Sequence, residues 1–200
     1  PMDVVELFAP NSPPLLSGDW VPYSRRPLPH RNHLFVLQPP AGEVSAYYLR
    51  VKTESALVLA LRIWSEREFN RRDGFNQFLL GLYFGLLGIM VIYNLLIYLS
   101  SRDRSYLYYV FYVSALFLFQ QCLTGLASVY LWPGSAWWSN HALVIFASLG
   151  VALSILFTWE FLQTRRWVPL LHRVLLGILS ISLLNGALSL FIPYLLSIQV

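Results

Sequence analysis

Residues 78–99 form a stretch of 22 residues that contains no charged side chain. At about 1.5 Å of helical rise per residue, such a stretch is long enough to cross a bilayer core of ~30 Å. Three more apolar stretches follow, at about 106–126, 141–161 and 174–192. The sequence therefore predicts an α-helical transmembrane bundle of four full spans, and a soluble enzyme is close to excluded.

The composition favours the same class of protein. Hydrophobic residues make up 56% of the chain and charged residues only 12%, whereas a soluble domain carries about 25% charged residues. The lone cysteine, Cys122, lies inside the second predicted span, so we expect no disulfide framework. We expect no cofactor either.

Both ends of the sequence suggest a fragment of a longer protein. The start, Pro1-Met2, is not followed by the charged and apolar regions of a signal peptide, so we expect any such peptide to lie upstream. The apolar end predicts a short outer turn at Pro193-Tyr194 and the beginning of a fifth span at Leu195–Val200.

Basic residues between the spans predict the orientation. The loops after the first and third spans hold five arginines, and the loop at 127–140 holds no Lys or Arg. Arginine-bearing loops face the cytoplasm, which places the N-terminus outside. Four arginines just before the first span oppose this count, but a folded domain is translocated largely regardless of its charge. They are Arg62, Arg67, Arg71 and Arg72.

The segment before the membrane has the pattern of a β domain. Polar side chains recur at every second position within Val44–Lys52, large aliphatic side chains recur at every second position within Leu57–Trp64, and His33–Leu37 is a third strand-like run. Such alternation is typical of antiparallel strands with one buried face. We therefore predict that residues 1–68 are the C-terminal part of an antiparallel β-sandwich, joined by a short linker at 69–77 to the helical region at 78–200.

Several blocks of the sequence resemble one known family, the bacterial seven-transmembrane receptors with diverse intracellular signalling modules. The blocks are YYLRVKTESALVLALRIWSEREF, LLGLYFGLL, YNLLIYLSSRDRSYLYYV, GLASVYLWPGSAWW and FTWEFLQTRRWVPLLHR. The stretch SGDWVPYSRRPLPHRNHLFVLQPPAGE resembles the end of the larger extracellular domain of that family, a jelly-roll-like sandwich related to carbohydrate-binding modules. The first half of the sandwich, the last three spans and the output domain of the family do not occur in this chain.

The resemblance implies a receptor in the bacterial inner membrane with a periplasmic sensor domain. It also implies a cytoplasmic output domain in cis, typically a histidine kinase, a diguanylate cyclase or another signalling enzyme. Two-component signalling is one pathway that such an output serves.

A cluster of aromatic and basic residues in the outer domain is the candidate ligand site. Aromatic rings stack on sugars, and arginines bind anions through paired hydrogen bonds, so a carbohydrate or a small carboxylate fits this chemistry. An alternative is that the cluster fixes the sandwich or docks it on the bundle. The cluster consists of Trp20, Tyr23, Arg25, Arg26, His30 and Arg31.

The first span carries a face of small residues. Gly81, Gly85 and Gly88 recur at helical spacing, and such residues let helix backbones approach closely in lipid. Asn94 projects about 140° away from them at about 100° per residue, so we predict neighbours on two sides of this helix. The glycine face is either a site of tight packing or an interface that moves during signalling.

Polar groups at the membrane boundaries have two interpretations each. Glu160 lies about one turn from Arg165 and Arg166, which predicts an interfacial ion pair, with an ion relay as the alternative. The inner loop Arg102-Asp103-Arg104 either fixes the topology or clamps lipid phosphates. The outer aromatic residues are interface anchors, or they contact the outer domain or a ligand. They are Tyr130, Trp132, Trp137 and Trp138.

No catalytic motif or metal-binding spacing occurs in the sequence, so we predict that this segment is not an enzyme. A sensor and transmembrane module of a receptor is the favoured function. A transporter or channel subunit with an accessory domain, or a membrane scaffold without a ligand, is the alternative. We expect membrane lipid, a periplasmic small molecule and the output domain as partners, expect no nucleic acid, and leave a homodimer open.

Overall fold

A computed structural model of the chain describes residues 3–10, 12–53, 59 and 61–190. The described residues divide into two compact units. The first takes in residues from 1–58, 120–144 and 189–200, and the second takes in residues from 59–119 and 145–188. The strands lie in the first unit, and most of the helical residues lie in the second.

The first unit contains a small antiparallel sheet with the strand order β2-β1-β3. Its strands are β1 (Val4–Phe8), β2 (Leu15–Ser17) and β3 (Tyr48–Lys52). Val5 and Leu7 of β1 are 3% and 6% exposed, and they pair with Val51 and Leu49 of β3. One face of the sheet is therefore apolar and buried, as the alternation in β3 predicts.

The strand predictions hold only in part. β3 confirms the end of the Val44–Lys52 run, but the strand predicted at His33–Leu37 is wrong, because this segment has no strand assignment. Of the run at Leu57–Trp64, residues 57, 58 and 60 lie outside the described residues, and the others are not in a strand. β1 is not predicted because its sequence, VVELF, does not alternate between apolar and polar residues, and β2 is not predicted because it has only three residues.

The described residues form helices over most of the second half of the chain. Their bounds are α1 (Glu66–Ser101), α2 (Arg104–Leu123), α3 (Leu126–Tyr130), α4 (Ala136–Leu162), α5 (Thr164–Trp167) and α6 (Pro169–Leu188).

Among the described residues, α1, α2, α4 and α6 are long and apolar enough to cross a membrane. An antiparallel sheet followed by four such helices confirms the predicted fold class. The turn at Pro193-Tyr194 and the fifth-span start at Leu195–Val200 lie outside the described residues.

Helix α1 begins well before the apolar stretch. Ser65 caps it, since Ser65 Oγ accepts a hydrogen bond from the Glu68 backbone N–H at 3.4 Å. Glu66 and Glu68 in the first turn also favour the positive end of the helix dipole. The predicted linker at 69–77 is therefore part of a continuous helix.

Residues in the left-handed conformation end three of the helical segments. Arg102 (φ 57°) follows α1, Gly125 (φ 76°) separates α2 from α3, and Gln163 (φ 46°) separates α4 from α5. A left-handed residue after a helix turns the chain and lets its N–H bond back to the last turn. The Arg102 N–H donates in this way to the Tyr98 carbonyl at 2.8 Å.

Aromatic rings join neighbouring helices in the second unit. Phe84 of α1 meets Phe117 of α2 edge to face, with ring centroids 5.3 Å apart. Tyr109 of α2 and Phe157 of α4 make a similar contact at 5.5 Å. Large interlocking rings provide the van der Waals contact that holds helices together in lipid, where no hydrophobic driving force acts between them.

Small residues join α4 to α6. Ser182 Oγ donates a hydrogen bond to the Ser148 carbonyl at 2.8 Å, and a Cβ added to Gly186 would lie only 3.1 Å from Ser148 Cβ. The two backbones therefore approach closely along this line, as small residues permit in membranes.

Gly18 is expected to tolerate no side chain. It has φ 139°, and an added Cβ would clash with the Asp3 carbonyl oxygen and lie 2.8 Å from Val4 Cα. We expect Gly18→Ala to lower the melting temperature of the purified protein by the equivalent of ~1–3 kcal/mol of local strain. Gly42→Ala is the matched control, because Gly42 also has positive φ (80°) but open space around it. Equal melting temperatures for the two variants would contradict the clash.

Candidate functional site

The outer cluster begins on a loop fixed to the end of β2. Ser17 Oγ is 3.0 Å from His33 Nδ1, and His33 Nε2 is 3.5 Å from Asp19 Oδ1. His33 thus ties the two ends of the loop together. The sequence pattern contains no signal for this role of His33.

Tyr23 and Arg26 form the middle of the cluster. Arg26 Nε donates to the Val21 carbonyl at 3.4 Å, and its guanidinium lies 5.9 Å from the centroid of the Tyr23 ring. Burial lowers the pKa of Arg26, while nearby Asp19 opposes that change. Burial, and then the neighbouring Tyr130, raise the pKa of Tyr23. Tyr23 is therefore close to the helical segment that carries Tyr130.

Arg31 lies directly against the break between α2 and α3. A Cβ added to Gly125 would be 3.4 Å from the Arg31 carbonyl oxygen and 3.7 Å from Arg31 Cβ. Next to it, His30 Nδ1 accepts a hydrogen bond from the Asn32 N–H at 3.0 Å, which closes a tight local turn. The outer loop and the helical segment 120–144 thus pack together within the first unit.

The six residues of the cluster divide by exposure. Trp20 is 46% exposed and Arg25 is exposed, whereas Tyr23, Arg26, His30 and Arg31 are half-buried. The half-buried residues carry the contacts with the protein itself. Trp20 and Arg25 are left with a stacking surface and a cation facing solvent. Ligand binding by the cluster stays a prediction.

The outer aromatic residues form three local ring contacts, one of them between Trp137 and Trp138 with centroids 6.3 Å apart. Trp132 and Trp138 meet edge to face at 6.2 Å, and Trp137 stacks on the His141 ring with centroids 4.3 Å apart. His141 is buried and its Nδ1 lies 2.7 Å from the Trp137 carbonyl oxygen. Tyr130, in contrast, is 76% exposed. These rings make a rigid aromatic edge on the first unit.

Helix α1 packs along a line that does not include its glycines. Its half-buried or buried positions recur at helical spacing, while no described atom lies within 4 Å of an added Cβ at Gly81, Gly85 or Gly88. Asn94 lies on the packed line and donates from Nδ2 to the Met90 carbonyl at 2.8 Å, within its own helix. The packed line consists of Leu80, Phe84, Leu87, Val91 and Asn94.

The inner turn between α1 and α2 is held by its own side chains. Asp103 Oδ1 accepts a hydrogen bond from the Ser105 N–H at 2.9 Å, and the Asp103 N–H donates to Ser101 Oγ at 3.3 Å. Asp103 therefore caps α2. Arg102 and Arg104 are exposed on either side of it.

A cavity of about 320 Å³ lies where α4 ends and α6 begins. The predicted ion pair of Glu160 with Arg165 or Arg166 is not formed among the described residues. All three side chains instead line the cavity. The other lining residues are Trp159, Gln163, Thr164 and His172. The sequence shows the charges, but it does not show that a turn separates them around a cavity.

Within the described ranges, no group of three or more His, Cys, Asp or Glu side chains is placed to hold a metal ion.

The described residues thus form a β unit whose loop packs on a helical segment, together with four helices able to cross a membrane. Residues 76–200 match the family described as 7TM diverse intracellular signalling, and residues 1–65 match the family described as 7TMR-DISM extracellular 2. The chain belongs to the 7TMR-DISM family and comprises parts of its extracellular and transmembrane regions. No curated protein and no solved structure matches the chain. The match to the transmembrane family and the four apolar helices make this chain a multi-pass membrane protein.

The contact between Arg31 and Gly125 can be tested by a disulfide. The separation of 3.7 Å between their Cβ positions lies within the ~3.5–4.5 Å that a disulfide requires. We expect the double variant Arg31→Cys/Gly125→Cys, made in a Cys122→Ser background, to lose both thiols on mild oxidation. Thiol alkylation and mass spectrometry of the linked peptides measure this. The control Arg25→Cys/Gly125→Cys should keep its thiols, and equal oxidation of both pairs would contradict the contact.

Proposed function

We propose that the chain is the sensor and transmembrane module of a bacterial inner-membrane receptor. In this proposal residues 1–68 face the periplasm and bind a small molecule, a carbohydrate or a small carboxylate. Binding is transmitted to a cytoplasmic output domain in the same polypeptide, such as a histidine kinase or a diguanylate cyclase. Membership of the receptor family supports the class of function, and the contact of Arg31 with Gly125 supports the coupling.

The coupling follows from the position of that contact. Arg31 and Tyr23 lie on the same loop as the exposed Trp20 and Arg25, so a ligand held by the exposed pair would bear on the contact with Gly125. Ser128 Oγ, one helical turn beyond Gly125, lies 3.1 Å from Ser139 Oγ and ties α3 to α4. A ligand shifts a receptor only by binding one arrangement better than another. The outer loop is where such a difference would arise.

The proposed orientation depends on the exposed arginines at the turns. Arg102 and Arg104 flank the capping Asp103, and Arg165 and Arg166 lie at the turn after α4. The opposite turn, with Trp132 and Gly134, carries no Lys or Arg. Short loops that are rich in Lys and Arg stay on the cytoplasmic side of the membrane. This asymmetry therefore supports a periplasmic location for the domain that contains the sheet.

The orientation predicts which introduced thiols an impermeant reagent reaches. In a Cys122→Ser background, we expect Gly134→Cys to react with an impermeant maleimide in intact spheroplasts. Arg102→Cys should react only after the membrane is permeabilised. Gly134 lies in open space, so a side chain there causes no clash. Labelling of Arg102→Cys in intact spheroplasts would show that this turn faces the periplasm. That result would contradict the proposed orientation and the receptor proposal that depends on it.

The ligand part of the proposal predicts distinct effects of the two exposed residues. In the chain reconstituted in nanodiscs, calorimetric titration is carried out with neutral monosaccharides and with short dicarboxylates. We expect Arg25→Ala to weaken the binding of a dicarboxylate about tenfold or more, because a charge-assisted hydrogen bond is lost. We expect Trp20→Ala to weaken the binding of a monosaccharide by a similar factor, because the stacking surface is lost.

Arg50→Ala is the control for this titration, because Arg50 is an exposed arginine on β3, opposite Glu6 rather than in the outer cluster. The Arg50→Ala variant should bind both ligand classes with the same affinity as the unsubstituted chain. If no sugar and no carboxylate binds, the ligand classes are wrong. If Arg50→Ala has the same effect as Arg25→Ala, the cluster is not the site.

A further inference from the structure

The turn between α4 and α6 is a built structure rather than a loose connection. Gln163 has a left-handed backbone, and its carbonyl accepts hydrogen bonds from the Arg166 N–H at 2.8 Å and from the Trp167 N–H at 3.3 Å. A residue with a side chain adopts this conformation at a cost in free energy, so the surrounding contacts must hold it. The turn therefore has a defined shape.

Two side chains lock the turn onto α6. Thr164 is 1% exposed, and its Oγ1 lies 3.3 Å from His172 Nδ1. The His172 ring in turn lies against the indole of Trp159, with centroids 4.8 Å apart. The end of α4, the short α5 and the start of α6 are thus joined around the cavity of about 320 Å³.

The cavity lining is predominantly cationic. Arg165 and Arg166 both contribute to it, and among the described residues neither forms an ion pair. Glu160 is the single acidic lining residue, so the two arginines outnumber it. In addition, Trp159 Nε1 is buried and has no hydrogen-bond acceptor among the described atoms. Buried donors of this kind normally find a partner.

The location indicates where a ligand would come from. The cavity lies at one end of two membrane-spanning helices, with Trp159 in its wall and the exposed Trp167 beside it. Tryptophan is enriched at the level of the lipid headgroups. Basic pockets between transmembrane helices bind anionic headgroups, and arginine pairs with phosphate through two hydrogen bonds.

We propose that this cavity binds the phosphate of an anionic phospholipid headgroup, with Arg165 and Arg166 as the phosphate ligands. Gln163 adds a neutral polar group to the wall of the same cavity. Glu160 opposes the bound charge and limits the affinity. The site is distinct from the outer cluster and does not depend on a periplasmic ligand.

Native mass spectrometry of the full chain tests the proposal. The protein is taken from nanodiscs of phosphatidylcholine with and without cardiolipin, and the retained lipid is counted. We expect cardiolipin to be retained and the double variant Arg165→Gln/Arg166→Gln to bind it about tenfold or more weakly. The matched control is Arg62→Gln/Arg67→Gln, which removes two exposed arginines that do not line the cavity. Equal losses of cardiolipin retention in the two double variants would show that only the overall positive charge matters, and would overturn the site.

Glu160→Gln provides a test that a folding defect cannot imitate. Because it removes the opposing charge, we expect this variant to retain cardiolipin more strongly than the unsubstituted chain. Unchanged or weaker retention would contradict the proposal.

Two further arms distinguish the source of the phosphate and any competing occupant. Inorganic phosphate titrated into lipid-free detergent should displace cardiolipin only weakly, and effective displacement would assign the cavity to a soluble phosphate instead. Equal retention of phosphatidylcholine and cardiolipin would show that the cavity does not select an anionic headgroup and would overturn the lipid site.

Discussion

The bilayer core offers no water to backbone N–H and C=O groups, so the chain must change direction where other partners are available. The left-handed residues Arg102, Gly125 and Gln163 mark these places, each at the end of a long helix. Two of them are not glycine and are kept in place by backbone hydrogen bonds such as Arg102 N–H to Tyr98. The contact with Arg31 lies at Gly125 and the cavity lies at Gln163, so both candidate sites depend on how the helices end.

Packing between the helices follows side-chain volume. On α1, Phe84 and Leu87 lie on the line that contacts α2, while Gly85 on a neighbouring face has no described atom near it. In lipid, aromatic rings can fill the space between two helices as well as glycines can close it. The α4–α6 pair uses the second solution, through Ser148 and Gly186. Spacing of small residues alone therefore does not identify which helix pairs pack closely.

Several features of the candidate sites could not be predicted because they join residues far apart in the sequence. The strand expected at His33–Leu37 is replaced by a loop, and the His33 ring is held by Ser17 and Asp19. The ion pair expected for Glu160 is absent among the described residues, because the turn at Gln163 places the charges around a cavity. In each case local pattern indicates the right kind of residue but not its partner.

The sequence by itself determined the four membrane helices, the buried face of β3 and the distribution of charge between the loops. These properties depend on hydropathy and period within a single segment, which are local. Only the tertiary structure decided which face of α1 is packed, that Arg31 meets Gly125, and that Thr164 and His172 close a cavity. Those contacts depend on the turns that end the helices, because a left-handed residue changes the direction of the chain between one helix and the next.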